Sequence, residues 1–299
     1  MTRLGQAGPQ QCASIGLGCM GMSGMYGPSD EAQSIATIHA ALDAGVNLFD
    51  TGDFYGMGHN EMLLGKALKG RRDEVLLSVK FGAMRSPDAS WSGIDGRPAA
   101  VKNFLAYSLR RLGTDHVDIY RIARLDPAVP IEDTVGAIAD LVRAGYVRYV
   151  GLSEVGVQTI RKAHCVHPIA DLQIEYSLLS RGPEAAIFPL LRELGIGVTA
   201  YGVLSRGLLS GSRPAGAGDM RTHLPRFAPD SRTQNQRLVD ALQSLSAQWG
   251  ATASQVAIAW VLAKGRQFGL DVVALVGSRT LGQLQELSLI HISEPTRPY

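Results

Sequence analysis

Short apolar runs alternate with amphipathic stretches almost from one end of the chain to the other. Ser14–Gly18, Val46–Asp50, Val75–Lys80, Val117–Ile122, Val147–Leu152, Ala170–Glu175, Gly197–Tyr201 and Val272–Val276 are rich in Val, Ile and Leu. Such runs suit strands buried on both faces. The stretches between them carry a helical period. In Ile131–Ala144, Ile131, Val135, Ile138 and Val142 share one face, while Glu132, Asp133 and Asp140 lie elsewhere. Asn103–Leu112 repeats the pattern with Phe104, Leu105, Ser108 and Leu112. Strands alternating with helices, with no compositional break to mark a linker, predict an α/β fold: a single (β/α)8 barrel over residues 1–286. A doubly wound sheet is the alternative, and it would open with a glycine fingerprint leading into a helix. Gly16-Leu17-Gly18-Cys19-Met20-Gly21 has that spacing, but no amphipathic helix begins at Gly21 and Met22–Gly27 reads as a loop. The glycines are therefore assigned to a loop at the mouth of a barrel.

Composition narrows the function. The 299 residues are 45% hydrophobic, enough for a large core, and the net charge of +2 comes without a basic run of the kind that binds nucleic acid. A phosphorylated small molecule needs only a local cluster of positive charge. No apolar stretch is long enough to span a membrane, and Met1–Gly5 does not open a signal peptide. Cys12, Cys19 and Cys165 lack CxxC spacing and read as reduced thiols, so a cytoplasmic protein is expected. His164-Cys165-Val166-His167 has no second ligand pair of zinc-like spacing and falls on the far side of the barrel, so no metal is expected. His59 fits either the pocket lining or, better, a solvated loop, and His116, like His164, is read as structural or solvated on the far side. Trp91 fits either a substrate pocket or surface packing. The Gly-, Arg- and Pro-rich stretch Ser205–Thr233 reads as a flap over a ligand.

Three strand-end residues carry the chemistry. Asp50 and Tyr55 lie in Leu48-Phe49-Asp50-Thr51-Gly52-Asp53-Phe54-Tyr55-Gly56, and Lys80 closes Val75–Lys80. A tyrosine, with an ordinary pKa of about 10, needs help to give up a proton near neutrality. An ammonium beside it stabilises the phenolate, and a carboxylate keeps the ammonium charged and oriented. Those are the groups a carbonyl reductase uses.

The run Asp50–Gly65 resembles the signature of the aldo-keto reductase family. So does Ser108–Tyr120, followed in order by Val150–Glu154, Gln173–Ser177 and Gly207–Gly211. The resemblance implies a (β/α)8 barrel that binds NADPH and reduces aldehydes or ketones. It assigns Tyr55 as proton donor, with Lys80 and Asp50 as its tuning partners. It places Ser153 and Gln173 at the nicotinamide carboxamide, and Tyr201 against the nicotinamide ring. The pyrophosphate would lie along 203–208, with Gly202, Leu204 and Arg206 in contact. Gly277, Ser278 and Arg279 would meet the adenosine 2′-phosphate, and Gln283 and Glu286 the adenosine. The opening Gly16–Ser23 is similar to the pyridoxal reductase-like bacterial and fungal branch.

Two departures from the family pattern stand out. Ala123 occupies the position of a histidine that donates to the substrate carbonyl, a loss worth about 3–4 kcal/mol if nothing replaces it. An ordered water, Arg121 or Arg124 are the candidate replacements. Beyond Glu286, residues 287–299 resemble translated sequencing adapter. They are expected to be a non-native tail, leaving the eighth outer helix and C-terminal loop truncated and the chain less stable than a full-length relative. A nucleotide-binding regulatory subunit of the same fold and an inactive truncated product are the rival readings. Neither the carbonyl substrate nor the oligomeric state follows from the sequence.

Overall fold

A computed structural model of the protein describes residues 1–214, 216 and 219–288. Its frame is a closed barrel of parallel strands: β1 (Ile15–Gly18), β2 (Leu48–Gly52), β3 (Leu76–Phe81), β6 (Val117–Ile122), β7 (Val147–Ser153), β8 (Ile169–Glu175), β9 (Gly197–Tyr201) and β10 (Val272–Gly277). The order around the barrel is β1-β10-β9-β8-β7-β6-β3-β2. All eight strands expected from the sequence are present, each within two residues of its predicted ends. Outer helices alternate with them: α1 (Glu31–Asp43), α2 (His59–Ala67), α3 (Pro98–Leu112), α4 (Ile131–Arg143), α5 (Val157–Val166), α6 (Ile187–Leu194), α7 (Pro229–Gln248), α8 (Ala253–Phe268) and α9 (Leu281–Ser288). Among the described residues no helix is long and apolar enough to cross a membrane.

The period of two along each strand sorts side chains between the barrel interior and the helix layer. Leu48, Ile119, Val273 and Leu275 fill the bottom of the interior, where Leu4 and Cys12 of the N-terminal segment plug it. Above this layer β3, β6, β8 and β9 turn the interior polar. Arg121, fully buried, donates from one guanidinium nitrogen to Asp171 Oδ2 at 3.0 Å and from another to Ser78 Oγ at 3.1 Å. Thr199 Oγ1 also donates to Asp171. Gly151 leaves room for this layer: a Cβ there would lie 2.9 Å from Asp171 Oδ1 and 3.0 Å from Arg121 Cζ.

Three elements differ from the expectation. A two-stranded hairpin, β4 (Ala83–Arg85) and β5 (Trp91–Ile94), occupies a stretch to which the sequence pattern assigned no element. The flap segment ends in α7, which begins at Pro229 and so takes in residues read as loop. Two turns of α9 are described, with Leu284 and Leu287 buried against the core and the Gln255 amide of α8 bonded to the Glu286 carbonyl at 3.0 Å. The remainder of the segment expected to be a tail, 289–299, lies outside the described residues.

Candidate active site

The strands deliver their C-terminal ends to one mouth, and the loops after them enclose a cavity of about 460 Å³. That volume lies within the range of small-molecule sites. Asp50 leaves β2 pointing inward, Lys80 leaves β3 beside it, and Tyr55 opens a 3₁₀ turn (Tyr55–Gly58) just beyond β2. The turn is tight because Gly56, Met57 and Gly58 all hold positive φ (57°, 53° and 94°). It sets the Tyr55 ring edge-on to Phe54 at 4.8 Å between centroids, and Phe54 in turn meets Trp91 at 5.7 Å. Asp50, Tyr55 and Lys80 are 3%, 6% and 4% exposed, yet all three line the cavity.

Their contacts are shared. Asp50 Oδ1 pairs with the Lys80 ammonium. Its Oδ2 accepts from Ser78 Oγ at 2.8 Å and from Gln173 Nε2 at 2.7 Å. The Lys80 ammonium lies 5.2 Å from the centroid of the Tyr55 ring. Burial, and then the charge of Asp50, push the Tyr55 phenol well above its ordinary range, while Arg206 and Arg124 pull it back. Burial lowers the Lys80 ammonium, opposed by the charge and hydrogen bond of Asp50 and reinforced by Arg121 and Arg124. At neutral pH the trio thus presents a protonated phenol to the cavity, over a lysine–aspartate pair shielded from water.

From this end the cavity runs past Tyr201 and the 202–212 loop to Gly277, Ser278 and Arg279. The Arg206 guanidinium stacks over the Tyr201 ring at 4.8 Å and donates to the Tyr26 hydroxyl at 3.0 Å. Holding it there takes positive φ at both Ser205 (50°) and Arg206 (62°), a rare pair of left-handed non-glycine residues. Arg279 donates to the carbonyl oxygens of Tyr26 at 3.2 Å and Pro28 at 3.4 Å. Tyr26 thereby touches arginines from two different loops across the cavity, and its backbone bridges to Asp219.

Of the residues expected at the site, Asp50, Tyr55, Lys80, Gln173, Tyr201, Gly202, Leu204, Arg206, Gly277, Ser278, Arg279, Gln283 and Glu286 all line this cavity. Ser153 is not among the lining residues. It is buried at the end of β7 with its Oγ lacking a hydrogen-bond partner. Gln173 does line the cavity, but its amide nitrogen is committed to Asp50. The two arginines proposed to stand in for the missing histidine separate. Arg121 points into the barrel and is held by Asp171, whereas Arg124 lines the cavity beside Ala123, its guanidinium donating to the Ala123 carbonyl at 2.6 Å. Trp91 is a lining residue even though it is half exposed. His59 turns away to Ser23 Oγ at 2.9 Å, and His164 Nδ1 accepts from the Ile169 amide at 3.3 Å. Among the described residues no His, Cys, Asp and Glu cluster could hold a metal. The Gly16–Gly21 glycines end β1 and enter a 3₁₀ turn (Met20–Ser23), as a barrel-mouth loop should.

Sequence reasoning missed Ser78, which bonds Asp50, and Asp171 and Gly151, which hold and make room for Arg121. Their signal was available in the alternation: each falls on an inward strand position one step below the mouth.

The aldo/keto reductase family matches residues 14–289 of the chain. The chain belongs to the aldo/keto reductase family. It is 39% identical over 285 residues to a Glycine max protein named "Probable aldo-keto reductase 1", covering 92% of this chain and 80% of that one. Among solved structures it is similar to the glycerol dehydrogenase of Gluconobacter oxydans, with a TM-score of 0.85 and 28% identity over 96% of this chain and 88% of that one. It is also similar to an aldo-keto reductase from Bacillus halodurans in its holo form, with a TM-score of 0.80 and 29% identity over 99% and 92%. A Klebsiella pneumoniae aldo-keto reductase solved with NADPH shares the fold at 24% identity, with a TM-score of 0.75 over 97% and 89%. This member of the family is thus an oxidoreductase by kinship.

Proposed function

We propose that the chain is an NADPH-dependent reductase of aldehydes or ketones in which Tyr55 donates the proton. The observation that carries this is the union of two ends in one cavity: a buried Asp50–Lys80 pair beneath Tyr55 at one, and Arg279 at the other. NADPH, when bound, supplies hydride to the carbonyl carbon. The chain's own residues fit such a guest. Ser153 Oγ is a buried hydroxyl in want of a partner, and Gln173 keeps its amide oxygen available while its nitrogen holds Asp50. Together they suit a carboxamide, which both donates and accepts. The Tyr201 ring, backed by Arg206, suits a flat ring. Gly202, Leu204 and Arg206 belong to the loop suited to a pyrophosphate. Among the described residues Arg279 engages only carbonyl oxygens through its guanidinium, leaving its charge for a 2′-phosphate, with Gly277, Ser278, Gln283 and Glu286 around the adenosine.

Tyr55 protonates the oxygen as negative charge develops there. Lys80 steadies the phenolate that remains, and the charge and hydrogen bond of Asp50 oppose the lowering that burial imposes on Lys80. The opening Gly16–Ser23 motif supports placement in the pyridoxal reductase-like branch. The free thiols of Cys12, Cys19 and Cys165 suit a reducing cytoplasm.

Fluorescence titration with NADPH and NADH, beside NADPH consumption on an aldehyde panel that includes pyridoxal, tests the proposal. Saturable binding with NADPH preferred is expected. Arg279→Ala should weaken NADPH about tenfold and leave NADH nearly unchanged, the scale of one charge-assisted contact. Equal binding of both nucleotides, or of neither, would contradict it.

A further inference from the structure

We propose that Arg124 selects carbonyl substrates that carry an anionic group, a carboxylate or phosphate, on a flat or apolar body. The proposal rests on the assignment of Tyr55 as the group facing the carbonyl. Four arginines and Lys80 line the cavity, against only two carboxylates among its described lining residues, Asp50 and Glu286. Asp50 is consumed by Lys80, and Glu286 belongs to the Arg279 end.

The arginines differ in what already occupies them. Arg221 is paired with Asp219 at 2.6 Å, and Arg206 faces Glu175 at 3.7 Å while donating to Tyr26. Arg279 sits at the far end, among carbonyl oxygens. Of the two arginines whose charge reaches Tyr55, Arg206 and Arg124, only Arg124 has no carboxylate among the described residues within ion-pair distance. Among the described residues its one hydrogen bond runs to the carbonyl of Ala123, and both residues line the cavity. Its charge reaches both Tyr55 and Lys80.

Other lining residues fit the rest of such a molecule. Phe54 and Trp91 form an aromatic corner of the lining, and the Arg85 guanidinium, itself outside the lining, lies 3.3 Å from the Trp91 ring centroid with no carboxylate partner among the described residues. A cleft whose mouth carries excess positive charge concentrates anionic ligands and orients them as they enter.

The test compares 4-carboxybenzaldehyde with benzaldehyde in the wild type, Arg124→Met and Arg124→Lys, so that intrinsic reactivity cancels in the ratio of kcat/KM values. The wild type should favour the carboxylate through KM, and added salt should erode that preference. Arg124→Met should cut the preference about tenfold, and Arg124→Lys should restore part of it. Calorimetry on the NADP⁺-loaded protein gives a second readout. 4-(Hydroxymethyl)benzoate should bind more tightly than benzyl alcohol, and Arg124→Met should abolish the difference. An unchanged preference in Arg124→Met, or an equal loss on both aldehydes through kcat, would overturn the proposal. The second pattern would mean that Arg124 serves the carbonyl itself. If NADPH binds but neither aldehyde is reduced, it is the reductase assignment that fails, and the calorimetric comparison still decides the role of Arg124.

Discussion

Arg121 sits under the reacting trio and determines how much of it can be trusted to stay in place. Its guanidinium bridges Ser78, which bonds Asp50, to Asp171 on the opposite strand. Breaking a buried ion pair from one side leaves an uncompensated charge, which typically costs about 3–5 kcal/mol. Arg121→Met should therefore lower the urea-unfolding free energy by that order. Arg121→Met combined with Asp171→Leu should recover much of the loss. A single variant as stable as the wild type would show that the pair is not what braces the layer. The sequence showed Arg121 only as a charge near a missing histidine. Its true orientation follows from the period of two, since Ile119 and Arg121 point inward from β6 alike. Ser153 was legible as a strand-end hydroxyl. Its absence from the cavity lining was not, since it lies in register with Gln173, which does line the cavity.

At the scale of elements, the link from β2 to α2 carries a second buried acid cluster, separate from Asp50. Asp53 follows β2, Glu61 lies on α2, and Arg111 of α3 pairs with Glu61. Burial first, and then the charge of Glu61, push the Asp53 carboxyl up to about 7. The unfolded value is about 3.9. Between these limits the folded chain keeps a proton that the unfolded chain has released. The protein should therefore lose stability as pH rises from about 4 to about 7. Asp53→Asn removes the titration, and should stabilise the fold relative to wild type by about 2–4 kcal/mol at pH 8 and by little near pH 4. Parallel melts of the two proteins across that range check the sign, and a gap independent of pH would contradict it. Elements buried on both faces were legible because each reads as a near-continuous apolar run. The β4–β5 hairpin was not: Ser86, Asp88 and Ser90 between its strands are polar, and Trp91–Gly93 is exposed, so no alternation announces it.

At the scale of the whole molecule, closure of the barrel converts scattered motifs into one cavity. Residues as far apart in sequence as Asp50 and Gln173 share a hydrogen bond, and Tyr26 touches Arg279. The barrel fold and the site at its C-terminal mouth were legible because the order of strands and helices dictates where the loops converge. The polar layer below and the N-terminal plug of Leu4 and Cys12 were not, because each depends on packing between distant segments. The central claim is that this cavity performs proton donation through Tyr55. It is tested most directly by measuring steady-state aldehyde reduction by wild type and Tyr55→Phe, with the NADPH dissociation constant determined on both. Tyr55→Phe should lose about 10²–10⁴ in kcat while binding NADPH as tightly as the wild type. Equal turnover by the two proteins, or NADPH binding by a wild type that reduces no aldehyde or ketone, would contradict the claim.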